Sequence, residues 1–384
     1  MTGLPFFPPE EYQARLHQVR QRMAERDLDA CLISTPENIY YLIGLSHQGF
    51  FAYHGLIVPL EGQLTLITRA MERVTIEHQV EGVRFAGHAD SDDPAQVTLD
   101  TLRRAGLGAA RLGLEKQNLF LPPRIAEALQ AGLPQAVWQD ISGLVDELRL
   151  VKSARELVYM RRAAAISDAM MRTALETARP GLSEREIAAE VHRAMILAGG
   201  EYPGFTPFIR STRRLGEEHT TWRDEVLQPG DALFLEMAGC VARYHAPLGR
   251  LVFVGQAPAE TAAIAEVCLA AFRRVVETIR PGVTAGQVYQ AWQERVDAAG
   301  LAHYQRHHCG YLVGIGFPPS WVGGSRVVGL RRDSALELRV GMTFHLLSWL
   351  MGTGQGDYFI SNTALLTERG CEVLTKTPQG VQIV

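Results

Sequence analysis

Glu176-Thr-Ala-Arg-Pro-Gly-Leu-Ser183 returns 101 residues later as Glu277-Thr-Ile-Arg-Pro-Gly-Val-Thr284. Each copy closes one helical run with Pro-Gly and opens the next with a capping pair, Ser183 with Glu186 and Thr284 with Gln287. The correspondence extends to Ala198-Gly199 and Ala299-Gly300 at the same offset. A Pro-Gly pair recurs by chance, but a whole string at one offset is an internal repeat. Two similar helix-turn-helix units, each followed by strands, imply a pseudo-two-fold domain with a cleft between its halves.

Upstream of the repeat the pattern differs. An amphipathic run over residues 12–25, an apolar strand over 30–34, and strands over 55–59 and 63–68 alternate as in an α/β unit. Near Leu148 this gives way to a long helical pattern over 153–179, with Leu157, Met160, Ala164, Met171 and Leu175 on one side and a capping box of Ser153 and Glu156 at its start. A chain of 384 residues exceeds one compact core. Two domains are expected, 1–149 and 150–384, of α/β (α+β) class.

The hydrophobic fraction of 47% against 21% charged residues predicts well-packed domains, and a net charge of −4 with scattered arginines excludes a nucleic-acid partner. Apolar stretches such as 344–350 fall far short of the roughly 20 residues that span a bilayer. The opening MTGLPFFPPEEY lacks the basic and apolar regions of a secretory leader, so a cytoplasmic protein is expected. Cys31, Cys240, Cys268, Cys309 and Cys371 form no CxxC pair and read as small buried hydrophobes.

Several motifs resemble those of the pita-bread family of methionine aminopeptidase, aminopeptidase P, prolidase and creatinase. Ser34-Thr-Pro-Glu-Asn-Ile-Tyr-Tyr-Leu-Ile-Gly-Leu45 resembles the creatinase-type N-terminal signature, and Leu148-Arg-Leu-Val-Lys-Ser-Ala-Arg-Glu156 its junction with the catalytic domain. Pro229-Gly-Asp-Ala-Leu-Phe-Leu-Glu236, Gly310-Tyr-Leu-Val-Gly314 and Gly341-Met-Thr-Phe344 follow in the family's order and spacing. The resemblance implies a creatinase-like domain followed by a pita-bread domain.

The family's peptidases hold two divalent ions with two aspartates, a histidine and two glutamates, since hard carboxylates bridge the pair while a bound water becomes the nucleophile. On the family spacing these positions fall on Glu236, Pro247, Tyr311, Leu347 and Ser361, so only Glu236 keeps a carboxylate. Tyr244 and Arg250 match the family's aromatic and arginine and anchor the register around Pro247. A single ion on Glu236, His245 and His345 is the other option for a metal; the expectation is no metal and no cofactor.

Creatinase and ectoine hydrolase are relatives with altered metal positions that hydrolyse C–N bonds in small nitrogenous molecules. The segments 235–250, 310–321 and 341–345 look closest to the ectoine hydrolase version, but that relative keeps a glutamate where this chain has Ser361, so ectoine itself is not implied. The expected activity is metal-independent hydrolysis of a small amide, amidine or cyclic amidine. Glu236, desolvated among Leu233, Phe234, Leu235 and Met237, is the expected acid, base or nucleophile, and His219, 17 residues earlier, the proton carrier. His245, Tyr311, His345, Tyr244 and Arg250 are expected to bind substrate, and of His307 and His308 at most one can face the pocket.

Arg210, Arg213 and Arg214 lie in residues 202–223, which reads first as a solvated charged loop, and otherwise as a cover meeting a substrate carboxylate. In creatinase-like homodimers an N-terminal loop reaches the partner's cleft; here it is His47-Gln-Gly-Phe-Phe-Ala-Tyr-His54, with Phe50, Tyr53 and His54 as candidate contacts. Two other readings stay open, an Xaa-Pro metallopeptidase and a non-catalytic domain that binds a ligand or peptide.

Overall fold

The first unit begins at the amphipathic run, where Pro9 starts a helix whose Val19 and Met23 face inward. A computed structural model describes residues 6–324 and 326–384; residues 1–5, part of the stretch read for a leader, lie outside the described residues. The elements in order are α1 (Pro9–Glu25), β1 (Ala30–Ile33), α2 (Pro36–Ile43), β2 (Gly55–Pro59), β3 (Thr65–Arg69), α3 (Arg73–Gln79), β4 (Arg84–His88), α4 (Pro94–Arg104), β5 (Arg111–Leu114), α5 (Pro123–Gly132), β6 (Val137–Asp140) and α6 (Asp146–Arg149). Contacts group residues 1–149 and 324–326 into one compact unit and the remainder into a second. The strands pair in the order β4-β3-β2-β1-β5-β6. Leu32, Ile57, Ile67, Leu112 and Leu114 project from this sheet onto Leu99, Leu102 and Leu129 of α4 and α5, which covers the apolar strands on that side.

The second unit holds α7 (Ala154–Thr177), α8 (Glu184–Leu197), β7 (Phe208–Ser211), β8 (Ala232–Val241), β9 (Tyr244–Phe253), α9 (Thr261–Thr278), α10 (Ala285–Val296), β10 (Gly310–Leu312), β11 (Thr343–Leu350), β12 (Tyr358–Thr367), β13 (Gly370–Val373) and β14 (Gln382–Ile383). The sequence repeat becomes a structural one. Ser183 caps α8 and Thr284 caps α10, each through a complete capping box. Gly181 and Gly282 take φ of +87° and +85°, a backbone that other residues reach only with strain. Helix α7 packs on β8 and β9, and α9 on β11 and β12.

The strands β10-β11-β12-β9-β8-β7 form one sheet, in which β12 meets β9 where the two halves join. Because side chains alternate across a strand, register decides which residues share a face. Glu236 pairs with Phe208 on one side and Gly249 on the other; Gly249 pairs with Ser361, and Ser361 with Leu347. Phe208, Glu236, Gly249, Ser361 and Leu347 therefore form one row on a single face, here called the front. The adjacent Leu235, Arg250, Ile360 and Ser348 form a row on the back, where α7 and α9 pack. Among the described residues no helix is long and apolar enough to cross a membrane.

Candidate active site

The five positions that hold metal in the peptidases gather on the front. Glu236, Leu347 and Ser361 share the row just described, while Tyr311 pairs with His345, and His345 with Thr363, in the row beside it. Thr363 Oγ1 donates to the carbonyl of Pro247 at 2.8 Å, which brings the fifth position to the same place. As a donor set the five do not fit a two-ion centre. Leucine and proline offer no side-chain ligand, and among the described residues no three His, Cys, Asp or Glu side chains gather to hold an ion.

The space is filled instead by a hydrogen-bonded chain. Trp321 Nε1 donates to the Tyr311 hydroxyl at 3.0 Å, that hydroxyl lies 2.8 Å from His345 Nδ1, and His345 Nε2 lies 2.7 Å from Ser361 Oγ. An indole can only donate, so the Tyr311 oxygen accepts from it. With the Tyr311 O–H donating to an unprotonated Nδ1, the ring proton of His345 sits on Nε2, which donates to Ser361 Oγ and lies 3.7 Å from Glu236 Oε1. Gly249 leaves this approach open, since a Cβ there would stand 2.7 Å from Ser361 Oγ.

Glu236 is 8% exposed and accepts no hydrogen bond from the described residues. Burial pushes its carboxyl up to about 8, opposed by the Arg210 guanidinium and reinforced by Glu218. Burial, with His308 adding to it, holds His345 down at about 3. Near neutral pH the 3.7 Å contact thus joins two uncharged groups and is not an ion pair. Tyr311 is likewise pushed up, by burial first and by Glu236 second.

His219 lies exposed at the edge of this face with φ of +51°. Its ring stands 6.0 Å from that of Phe205 and 5.9 Å from that of Phe208, the register partner of Glu236. Trp321 closes the same aromatic group, 4.9 Å from Phe205 and 5.6 Å from Phe208. His308 turns toward Tyr311 with ring centroids 5.3 Å apart, while His307 is exposed, so one of the adjacent pair faces the site.

Several expectations need correction. Tyr244 and Arg250 lie on the back. The Tyr244 hydroxyl donates to Glu156 Oε1 at 2.7 Å, and the Arg250 guanidinium donates to the carbonyls of Gly249, Ser361, Thr377 and Pro378. Both serve the fold, because strand parity turns them away from Glu236. His245 is fully buried on the front, but its Nε2 accepts the Gly204 backbone N–H at 2.8 Å, so it clamps the loop before β7 instead of lining open space. In the first unit Tyr53 donates or accepts at Thr98 Oγ1 within the core, and His54 Nδ1 faces the Ala52 carbonyl. Phe50 packs edge-on against Phe120. The short turn Gly49–Phe51 instead exposes Phe51, at 77%.

The solvated-loop reading also fails for two of three arginines. Arg214 donates to Glu184 Oε2 at 2.5 Å and is buried, fixing the segment to α8, while Arg213 is exposed beside Glu225. Arg210 lies in β7 opposite Phe234, on the front and almost fully buried. The alternation Phe208-Ile-Arg-Ser211 was the available signal: it places Phe208 and Arg210 together on one face.

Comparison with known proteins fits this geometry. The pattern of "Metallopeptidase family M24" matches residues 158–368, and that of "Creatinase/Prolidase N-terminal domain" residues 15–151. The chain is 30% identical to the uncharacterized hydrolase/peptidase y4tM of Sinorhizobium fredii, over 97% of either chain. It is 30% identical to the ectoine hydrolase of Halomonas elongata, over 98% of either. Among solved structures, a prolidase from Thermococcus sibiricus superposes with a TM-score of 0.87 over 97% of this chain and 99% of that one; at 21% identity the likeness speaks for the fold alone.

Proposed function

We propose a function from one premise: the chain belongs to metallopeptidase family M24 and carries a creatinase/prolidase N-terminal domain. It is a hydrolase of that family, and its substrate is a small amide, amidine or cyclic amidine whose C–N bond it cleaves with side chains alone. The observation that carries this reading is Glu236, a buried carboxyl without a hydrogen bond from the described residues, at the one metal position that keeps an acidic group.

With its carboxyl held at about 8, Glu236 is protonated near neutral pH and suited to act as an acid. The imidazole of His219 takes a proton from water as the oxygen attacks the carbon of the scissile bond. Glu236 gives its proton to the departing nitrogen as the C–N bond breaks, and the proton on His219 returns to Glu236 through solvent. One water is consumed, and the products carry the new C–O and N–H bonds. The neutral chain Trp321-Tyr311-His345-Ser361 holds the opposite wall in place.

Two measurements test this on an identified substrate. Activity is expected to survive exhaustive chelation, and Glu236→Gln to lower kcat about a thousandfold, within the usual range for loss of a positioned proton donor. Loss on chelation that manganese or cobalt restores would return the protein to the metallopeptidases, and full turnover by E236Q would remove Glu236 from the chemistry.

A further inference from the structure

Arg210 is 1% exposed, yet its Nε and Nη1 have no hydrogen-bond partner among the described residues. Its Cζ stands 4.3 Å from the centroid of the Phe234 ring. Phe234 stacks on Phe359 at 4.9 Å, and Phe359 meets Trp349 at 4.7 Å, which makes a continuous aromatic floor. At its far end Arg306 stands 4.7 Å over Trp349. This floor lies directly beside the Glu236 row, since Phe234 is two residues before Glu236 and Phe359 two before Ser361.

A buried guanidinium with unfilled donors is costly, because a charge leaves water without recovering its hydrogen bonds. Glu236 does not repair this, since it makes no hydrogen bond to Arg210. What would fill the planar fork is another planar anion of matching geometry, a carboxylate.

We propose that Arg210 is the specificity-determining anchor of the front face and receives the carboxylate of an anionic or zwitterionic substrate, with Arg306 adding positive charge at the far end of the Phe234–Phe359–Trp349 row. The assignment rests on the front face being the active site. It narrows the substrate from any small C–N compound to one bearing a carboxylate. The scissile bond then falls near Glu236, one row away.

Titration calorimetry on the full chain tests it with two matched pairs, benzoate against benzamide and ectoine against 2-methyl-1,4,5,6-tetrahydropyrimidine, which lacks the carboxylate. In at least one pair the carboxylate should bind about tenfold to a hundredfold more tightly, the range of a charge-assisted bidentate contact. Arg210→Gln should erase that preference, Arg210→Lys should keep part of it because charge remains without the fork, and Arg306→Gln should weaken it less than R210Q. R210K also guards against a folding defect in R210Q. No preference in either pair, a preference surviving in R210Q, or a larger loss in R306Q would overturn the anchor. The hydrolytic reading is scored separately: preference lost in R210Q without cleavage of any C–N substrate refutes hydrolysis and leaves the anchor standing. Cleavage of an uncharged substrate unaffected by R210Q does the reverse.

Discussion

Arg250 and Arg210 are both buried in the same sheet, one on its back and one on its front. Every nitrogen of the Arg250 guanidinium reaches a backbone carbonyl between 2.6 and 2.8 Å, whereas Arg210 Nε and Nη1, above an aromatic ring, find no partner among the described residues. Other polar groups sharpen the contrast. On the back, Tyr244 meets Glu156, and Asn362 meets Thr375. On the front, Tyr311, His345 and Ser361 satisfy one another, while Glu236 accepts no hydrogen bond from the described residues. The Arg250 guanidinium is satisfied by the fold, whereas Arg210 and Glu236 on the front are left open, the contrast on which the proposed site rests.

The sharpest way to break this contrast is one substitution made on each face. Arg250→Met should cost about 3 to 5 kcal/mol of unfolding free energy, because four carbonyls lose their donor in a buried place. Urea denaturation at fixed pH measures it, and a loss within error of zero would end the distinction.

The next effect is a pH dependence. In the folded protein Glu236 ionises only near 8, against 4.5 for an ordinary glutamate, so the unfolded chain releases its proton first. Stability attributable to this group is undiminished below 4.5 and falls as pH rises toward 8, by about 1.4 kcal/mol per pH unit at the steepest. His345 acts oppositely in the acid range. Held at about 3 against 6.5, it makes stability rise with pH between those values. Comparing wild type with E236Q isolates the first slope: the variant's relative stability should climb from pH 5 to 8 and then level, and a flat difference would show that Glu236 is solvated.

The smallest expected effect completes the pair. Arg210→Met should change stability by about 1 kcal/mol or less, since the lost cation–π contact is offset by removing a charge with unfilled donors. A loss as large as that of R250M would mean that Arg210 is also a structural residue.

Much of this architecture could be read before any coordinates. The 101-residue offset became two capped helix pairs, and the chemistry of Ser183, Thr284 and their N3 partners is local enough to be fixed by a few residues. The burial of Glu236 was legible because it stands in a strand of apolar residues. Tyr244 and Arg250 were misplaced because face depends on parity: Arg250 is one residue from Gly249, and a one-residue error reverses every assignment. Arg210 was read first as solvated, and only second as meeting a substrate carboxylate, because three arginines near Pro and Gly look solvated in composition, while its burial depends on β8, more than twenty residues away. The hydrogen-bonded chain from Trp321 to Ser361 joins three separated segments, so no local pattern announces it.

Trp321, whose indole N–H is bound to the Tyr311 oxygen, and Trp349, at the end of the aromatic floor, are both set into the front. The proposed site therefore carries its own optical reporters. Any molecule that settles there alters the polarity around one indole or the hydrogen bond of the other, so emission can follow occupancy in unlabelled protein, even for a compound that is bound and never transformed.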